Sequence, residues 1–184
     1  MNKVCLLTGG TGNLGKRLKF HLSKEFTLLS PLRNELDIIN KSSVISFFES
    51  NKIDLIIHTA AMARMKECEE NKREALKVNS EGTLNLVRAA KKSQDEIRFI
   101  YISTDGVYPS KVGNYSEQSI LEPYNYYGLT KLMGEFSVRT LSNFCIIRTR
   151  FFDPDNIPFA ESANDIFSSS IDINKLVKII VKIS

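Results

Sequence analysis

The chain has 184 residues, of which 42% are hydrophobic and 25% are charged, and its formal net charge is +4. This length suits one globular domain with a substantial core and is too short for two comfortable ones. Its lysines and arginines are spread along the chain without a long basic block, which argues against nucleic acid as a partner.

Five short apolar runs are predicted to be strands, with amphipathic segments between them. They cover residues 4–7, 26–29, 55–57, 99–102 and 144–147. Their almost continuous hydrophobicity predicts a parallel sheet covered on both faces, because a sheet with one wet face would alternate. The sequence therefore predicts an α/β fold: a doubly wound parallel sheet of the Rossmann type with helices on both faces.

The first run leads into Thr8-Gly9-Gly10-Thr11-Gly12-Asn13-Leu14-Gly15. An amphipathic helix with Leu18 and Leu22 follows, which completes the strand–turn–helix context of a dinucleotide phosphate loop. Glycines leave the N–H groups at the helix N-terminus open to an anion, which the helix dipole favours. A tight turn without a ligand is the alternative for this motif alone.

Further elements follow along the chain. One helix is predicted to be capped by Ser42 or Ser43, and a longer one to run from Arg73 to Lys92. Residues 109–125 have few apolar positions and predict a loop that can act as an active-site wall or lid. Residues 174–183 predict a last helix packed on the sheet, which we favour over a helix on a membrane surface.

Tyr127 and Lys131 lie four residues apart in a segment with helical periodicity, so they share one face. A phenol with a pKa of about 10 is a poor acid or base near neutrality, and a neighbouring ammonium favours its ionised form. The pair therefore suits proton transfer. An ordinary helix face is the alternative for this spacing alone.

No metal site is expected, because Cys5, Cys68 and Cys145 lack the spacing of metal ligands and the two histidines are isolated. His21 is expected on the surface of the first helix and His58 at a strand end. The absence of a signal peptide and of a bilayer-length apolar stretch predicts a cytoplasmic protein with no membrane partner and reduced cysteines.

With these motifs in order, the chain resembles the extended short-chain dehydrogenase/reductases, and within them the dTDP-4-dehydrorhamnose reductase-like and nucleotide-sugar epimerase groups. The resemblance covers about residues 1–150. It is also carried by Leu36-Asp37-Ile38-Ile39, His58-Thr59-Ala60-Ala61, residues 77–83 with Asn79, residues 101–108 with Thr104, and residues 123–135.

The resemblance implies roles for individual residues. Tyr127 would exchange a proton with a sugar oxygen, Thr104 would hydrogen-bond the same oxygen, and Lys131 would hold the nicotinamide ribose and favour the phenolate. These three are the expected catalytic residues. The expected cofactor-binding residues are Gly9, Thr11, Gly12, Asn13, Leu14, Gly15, Arg33, Asp37, Ile38, Ala60, Ala61, Asn79, Tyr127 and Lys131.

The cofactor preference is read from the end of the second strand, residues 29–33, which carries no acid to hold a ribose 2′-hydroxyl. Ser30 and Arg33 can instead accommodate a 2′-phosphate, so NADP(H) is preferred and NAD(H) is the alternative. A solvated loop arginine is the other interpretation of Arg33. Two interpretations also stay open for Arg64, Arg148 and Arg150: each can contact a phosphate of the substrate or simply face water.

Two departures from the family pattern bear on function. Gly106 follows Thr104-Asp105 where dehydratases carry a glutamate, so dehydration is disfavoured. Family members also add a substantial substrate lobe after the position of Arg150. We therefore expect a Rossmann domain at residues 1–150 and a short extension of the same domain, ending in a helix, at residues 151–184.

Three functions remain open at this point. The first is an oxidoreductase that reduces a keto group on a nucleotide-linked sugar, and the second is a nucleotide-sugar epimerase. The third is a non-catalytic scaffold or regulatory subunit that binds the cofactor and lacks a full substrate lobe. The expected partner is a small-molecule substrate, with a homodimer as an alternative to a monomer.

Overall fold

A computed structural model describes residues 3–93, 96–111, 113–156 and 169–184. Within these ranges, one sheet contains β1 (Val4–Thr8), β2 (Thr27–Leu29), β3 (Leu55–His58), β4 (Arg98–Thr104) and β5 (Phe144–Thr149). Their order is β2-β1-β3-β4-β5, and all neighbouring strands are parallel. The predicted doubly wound parallel sheet is confirmed.

Helices connect and cover these strands. They are α1 (Asn13–Leu22), α2 (Lys41–Ser50), α3 (Met65–Glu70), α4 (Lys72–Leu76), α5 (Gly82–Lys92), α6 (Tyr126–Val138) and α7 (Ile173–Ile183). A π-helical turn, Lys77–Glu81, joins α4 to α5, and a 3₁₀ turn, Asp105–Val107, follows β4. A separate parallel pair consists of β6 (Phe151–Phe152) and β7 (Ile171–Asp172).

The sheet separates two apolar cores. Alternate strand residues such as Leu6 and Phe99 pack with α2, α5 and α6 on one face. Their neighbours, such as Leu7 and Ile100, pack with α1 and α7 on the other. Burial on both faces is the physical reason for the almost continuous apolar runs.

The predicted cap of the second helix was wrong. Asn40 caps α2, because its side-chain oxygen accepts the N–H groups of Ser42 at 3.0 Å and Ser43 at 3.1 Å. Both serines lie inside the first turn. The helix predicted from about Arg73 to Lys92 is confirmed in extent, because α4, the π-helical turn and α5 follow one another from Lys72 to Lys92. Within the turn, the main-chain bonds span one further residue.

The predicted last helix is confirmed as α7, which Asp172 caps. Its apolar face, including Ile173, Leu176 and Ile180, is buried in the core shared with α1. Packing on the sheet is therefore the right interpretation of its lysine-rich pattern. Within the described ranges, no helix is both long and apolar enough to cross a bilayer.

The strand order reverses direction between β1 and β3, which defines a topological switch point. In open parallel sheets, ligands bind beyond the carboxyl ends of the strands at such a point. The glycine-rich segment after β1, residues 59–61 after β3, and Thr104 at the end of β4 all lie at this edge.

Candidate active site

Two glycines of the loop are required by its own packing. Gly9 has a φ of +74° and lies so close to Ala60 that a Cβ would come within 2.6 Å of the Ala60 amide nitrogen. A Cβ at Gly15 would overlap the carbonyl oxygen of Gly9. These glycines let β1, α1 and the end of β3 approach one another.

Gly12 is different, because packing does not require it. It is the N-cap of α1 without a side-chain hydrogen bond, and a Cβ there would meet only the Gly9 carbonyl oxygen, at 3.3 Å. The first-turn amides of Asn13 and Leu14 lack partners within the helix. The loop therefore offers N–H groups and open space to an anion.

A cleft of about 290 Å³ lies in front of this loop. Eight of the expected cofactor residues line it: Gly9, Thr11, Gly12, Arg33, Asp37, Ile38, Ala60 and Ala61. Pro31, Leu32 and Val78 also line it, although no sequence motif singled them out as cofactor residues. The cleft thus joins the phosphate loop to an apolar wall after β2.

Asn13, Leu14 and Gly15 do not line the cleft through side chains. Leu14 is 5% exposed and packs in the apolar core between the sheet and the helices α1 and α7. Asn13 hydrogen-bonds Asp153, which also pairs with Arg17 at 2.7 Å. Asn13 and Leu14 can therefore serve a cofactor through their main-chain amides, while Gly15 serves the turn itself.

Asn79 lies outside the cleft lining, although it was expected to bind cofactor. It is fully buried, its oxygen accepts the Met62 N–H at 2.8 Å, and its amide donates to the Met62 carbonyl and the Thr130 hydroxyl, both at 3.0 Å. Both of its N–H groups are thus used. Its contacts hold the π-helical turn against α6 and the segment after β3.

Arg33 lines the cleft with a side chain that is 70% exposed. Its guanidinium lies 3.8 Å from the carboxylates of Asp37 and Glu74. These long, exposed ion pairs are weak, so an incoming phosphate can compete for the arginine.

The start of α6 is fixed against the 3₁₀ turn. Asn125 caps the helix by accepting the Gly128 N–H at 2.7 Å. A Cβ at Gly128 would overlap the carbonyl oxygen of Gly106. This close approach brings the helix turn that carries Tyr127 beside the strand end that carries Thr104.

The expected lowering of the Tyr127 pKa is wrong for this structure. Burial, with Cys68 and Asp105 nearby, raises the pKa of Tyr127 to about 12. The ammonium of Lys131 lies 4.0 Å from the ring centroid of Tyr101, and burial lowers the pKa of Lys131 to about 7. Desolvation by burial is therefore the main cause of both pKa shifts, that of Tyr127 and that of Lys131.

Thr104 is 7% exposed, and its hydroxyl is engaged. It donates to Asp105 at 3.2 Å and accepts the Gly106 N–H at 3.1 Å. The other carboxylate oxygen of Asp105 accepts from Arg150 at 2.9 Å. Thr104 retains one lone pair, and it can donate to a substrate oxygen only by releasing Asp105.

His58 is fully buried between the glycine loop and α5. Thr83 donates its only hydroxyl proton to the Asn79 carbonyl at 2.7 Å, so His58 Nε2 donates to Thr83 at 3.0 Å. His58 Nδ1 then accepts from Thr8 at 2.6 Å. This is a neutral histidine, and burial, together with Lys131, lowers its pKa to about 3.

The sequence left Arg148 and Arg150 open, and the structure distinguishes them. Arg148 pairs with buried Glu135 at 2.7 Å, whereas Arg150 is partly exposed and pairs with Asp105. Sequence reasoning missed Glu135, whose position on a buried helix face was the available signal. Within the described parts of the chain, no cluster of three or more His, Cys, Asp or Glu residues is arranged to hold a metal ion.

The fold and the switch-point loop together define a Rossmann-like α/β protein of the short-chain dehydrogenase/reductase class. Residues 2–154 match the sequence profile of the family described as the RmlD substrate binding domain. The chain belongs to this family.

Named relatives agree with this assignment. The chain is 36% identical over 145 residues to a dTDP-4-dehydrorhamnose reductase from Aggregatibacter actinomycetemcomitans, which covers 77% of this chain and 49% of the relative. The dTDP-4-keto-6-deoxy-D-glucose reductase of Streptomyces niveus is 33% identical over 148 residues, which cover 78% of this chain and 51% of the relative. The chain thus spans about half the length of these curated relatives.

A solved structure gives the same fold. The dTDP-4-dehydrorhamnose reductase of Bacillus anthracis, in complex with NADP, superposes with a TM-score of 0.85 at 26% identity. The match covers 100% of this chain and 70% of the crystallised one.

Proposed function

We propose that the chain is the cofactor-binding and catalytic part of an NADP-dependent reductase that acts on a keto group of a nucleotide-linked sugar. The observation that carries this proposal is the open loop at Gly12, which lies at the same sheet edge as Thr104 and Tyr127. The named relatives are sugar-nucleotide reductases, and the B. anthracis structure contains NADP.

The cleft residues fit a dinucleotide phosphate. The first-turn amides of α1 would hold the pyrophosphate, since Gly12 leaves them open. Arg33 would hold the 2′-phosphate after exchanging its weak contacts with Asp37 and Glu74. NADPH, when bound, supplies the hydride that reduces the keto carbon.

Tyr127 would deliver the proton to the keto oxygen. Its raised pKa keeps the phenol protonated at neutral pH, which suits donation in the direction of reduction. Thr104 would donate a hydrogen bond to the same oxygen after leaving Asp105. Lys131 would contact the ribose and supply positive charge as the phenolate forms.

The domain division follows the same reasoning. We propose residues 1–150 as the cofactor domain and residues 151–184 as an extension of it, since α7 packs in the core shared with α1. A non-catalytic cofactor-binding subunit is the second candidate, because the chain spans about half the length of its curated relatives. An epimerase would use the same Tyr127 and cofactor loop.

Single-turnover oxidation of NADPH with a panel of keto-sugar nucleotides tests this proposal. Tyr127→Phe keeps the ring and removes the proton donor, so the rate should fall by about 10²–10⁴-fold while NADPH affinity is retained. Tyr126→Phe is the matched control, since Tyr126 lies one position earlier in α6 and contacts Lys72.

Three outcomes separate the candidates. Equal rates for the unmodified protein and Tyr127→Phe contradict the catalytic assignment. NADPH binding with no turnover of any substrate supports the non-catalytic subunit. Transfer of label between epimeric sugars without net oxidation of NADPH supports the epimerase.

A further inference from the structure

Glu135 is a fully buried carboxylate on α6, one turn beyond Lys131. Its Oε1 accepts from the Ser103 hydroxyl at 2.6 Å and from Arg148 Nε at 3.0 Å. Its Oε2 accepts from Arg148 Nη2 at 2.7 Å. Burying such a pair is costly unless the remaining polar atoms are also satisfied, as they are here by Ser103.

The Arg148 nitrogen that does not contact Glu135, Nη1, binds residues of the segment that follows β4. It donates to the Tyr108 hydroxyl at 2.9 Å and to the Glu117 carbonyl at 3.2 Å. The Arg148 side chain is only 7% exposed. A planar guanidinium can bind the carboxylate with one edge and these two oxygens with another, which a lysine ammonium cannot do.

Tyr108 passes this restraint to the segment of residues 109–125. Its ring stacks on Tyr115 with centroids 5.0 Å apart and planes 4° apart. The Tyr115 hydroxyl bonds the Pro109 carbonyl and accepts the Lys111 N–H at 3.0 Å. Leu121 and Tyr115 also pack on the small apolar cluster that contains Tyr108.

The position of this segment relates it to the proposed reaction. It follows the turn after Thr104 and ends at Asn125, the N-cap of the helix that carries Tyr127. None of its described residues lines the cofactor cleft. It therefore borders the two proposed catalytic residues without forming the dinucleotide site.

We propose that Glu135 and Arg148 are positioning residues, which hold the 109–125 segment as a substrate-side wall next to Tyr127. They act through the Tyr108 hydroxyl and the main chain of Glu117. The substrate part of this proposal rests on the proposed function. The restraint on the segment does not, because it can be measured without any substrate.

Arg148→Lys is the main test, since it keeps the charge beside Glu135 and removes the forked donor. Amide hydrogen exchange in the described part of the 109–125 segment should become about tenfold faster or more, as charge-assisted bonds to it are lost. The NADPH dissociation constant should not change. KM for the keto-sugar nucleotide should rise more than kcat falls.

Arg139→Lys is the matched control. Its side chain is 45% exposed and its guanidinium lies 3.9 Å from the same Glu135 carboxylate, so exchange and KM should be unchanged. Tyr108→Phe removes only the hydroxyl bonded to Arg148, and should speed exchange in the same segment by a smaller factor. This variant decides the question if Arg148→Lys does not fold.

The proposal is overturned if the rate of amide hydrogen exchange in the segment does not change in either Arg148→Lys or Tyr108→Phe. Equal acceleration throughout the chain, or an NADPH dissociation constant that rises in step with KM, also overturns it by showing a general loss of stability. If the unmodified protein turns over no substrate, the proposed function fails, while exchange still decides whether the pair restrains the segment.

Discussion

The ammonium of Lys131 lies 4.0 Å from the ring centroid of Tyr101, inside the protein and against the central strand β4. Only 1% of the Lys131 surface is exposed. Glu135 favours the charged form, but burial dominates and lowers the pKa of Lys131 to about 7. The ammonium that we propose to act in the reaction is therefore held at a cost to stability.

Lys131→Met should stabilise the fold and weaken NADPH binding. Methionine fills similar space without a buried charge, so unfolding free energy should rise by about 0.5–2 kcal/mol. Because the folded pKa lies below the unfolded value, the unmodified protein should gain stability as pH rises from about 7 towards 10.5, and the variant should lose this slope. Denaturation at several pH values, with exposed Lys182→Met as control, measures the gain in stability and the loss of the pH slope. A Lys131→Met variant that is less stable than the unmodified protein would contradict the expectation.

Gly12→Val should weaken dinucleotide binding without unfolding the protein. The added side chain meets little protein and occupies the space in front of the first-turn amides. The loss of one charge-assisted bond would cost about 1.5–3 kcal/mol of affinity. Calorimetric titration with NADPH measures this, and Gly15→Ala is the contrasting variant, which should lower the thermal midpoint. Unchanged NADPH affinity in folded Gly12→Val would rule out the phosphate-loop assignment.

Arg33→Ala should weaken NADPH more than NADH. Loss of the contact with the 2′-phosphate would cost about 1–3 kcal/mol for NADPH alone. Glu74→Gln should change affinity in the opposite direction, because Glu74 competes for the same guanidinium. Fluorescence titration with both cofactors measures the ratio, with Arg64→Ala as an exposed control outside the cleft lining. Equal losses for the two cofactors would count against this role.

His58 should make the protein sensitive to acid. Its pKa is about 3 in the folded state and near 6.5 when unfolded, so the unfolded chain binds the extra proton between these values. Stability should therefore fall as pH decreases from 6.5 towards 3, by up to about 1.4 kcal/mol per pH unit from this group. His58→Gln, which keeps a donor for Thr83, should reduce that slope, and exposed His21→Gln should not. Equal slopes in denaturant unfolding would show that His58 is not responsible.

The strands and the glycine loop could be predicted because their signals are local. Each apolar run is confined to one strand, and the loop from Thr8 to Gly15 follows the first of them. The cap of α2 was misplaced by a few residues because Asn40, Ser42 and Ser43 are all good capping residues. Sequence alone does not show which of them adopts the extended conformation of an N-cap.

The parts of the site that could not be predicted depend on contacts between distant residues. The spacing of Tyr127 and Lys131 predicts that they share a helix face. The direction in which the Tyr127 pKa shifts, however, depends on burial and on the nearby Cys68 and Asp105. The pairing of Glu135 with Arg148 joins a helix to a strand. In the sequence, Arg148 looks the same whether it meets a phosphate, a carboxylate or water.

The short pair of β6 and β7 places Phe152 beside Asp172, immediately before α7 begins. This pairing therefore holds the two ends of the connection between β6 and β7 next to each other. The entropy of closing such a connection grows only slowly, by about 0.6 kcal/mol for each doubling of its length. An engineer can use this junction to graft a folded insert, such as a binding module, while α7 keeps its place in the core.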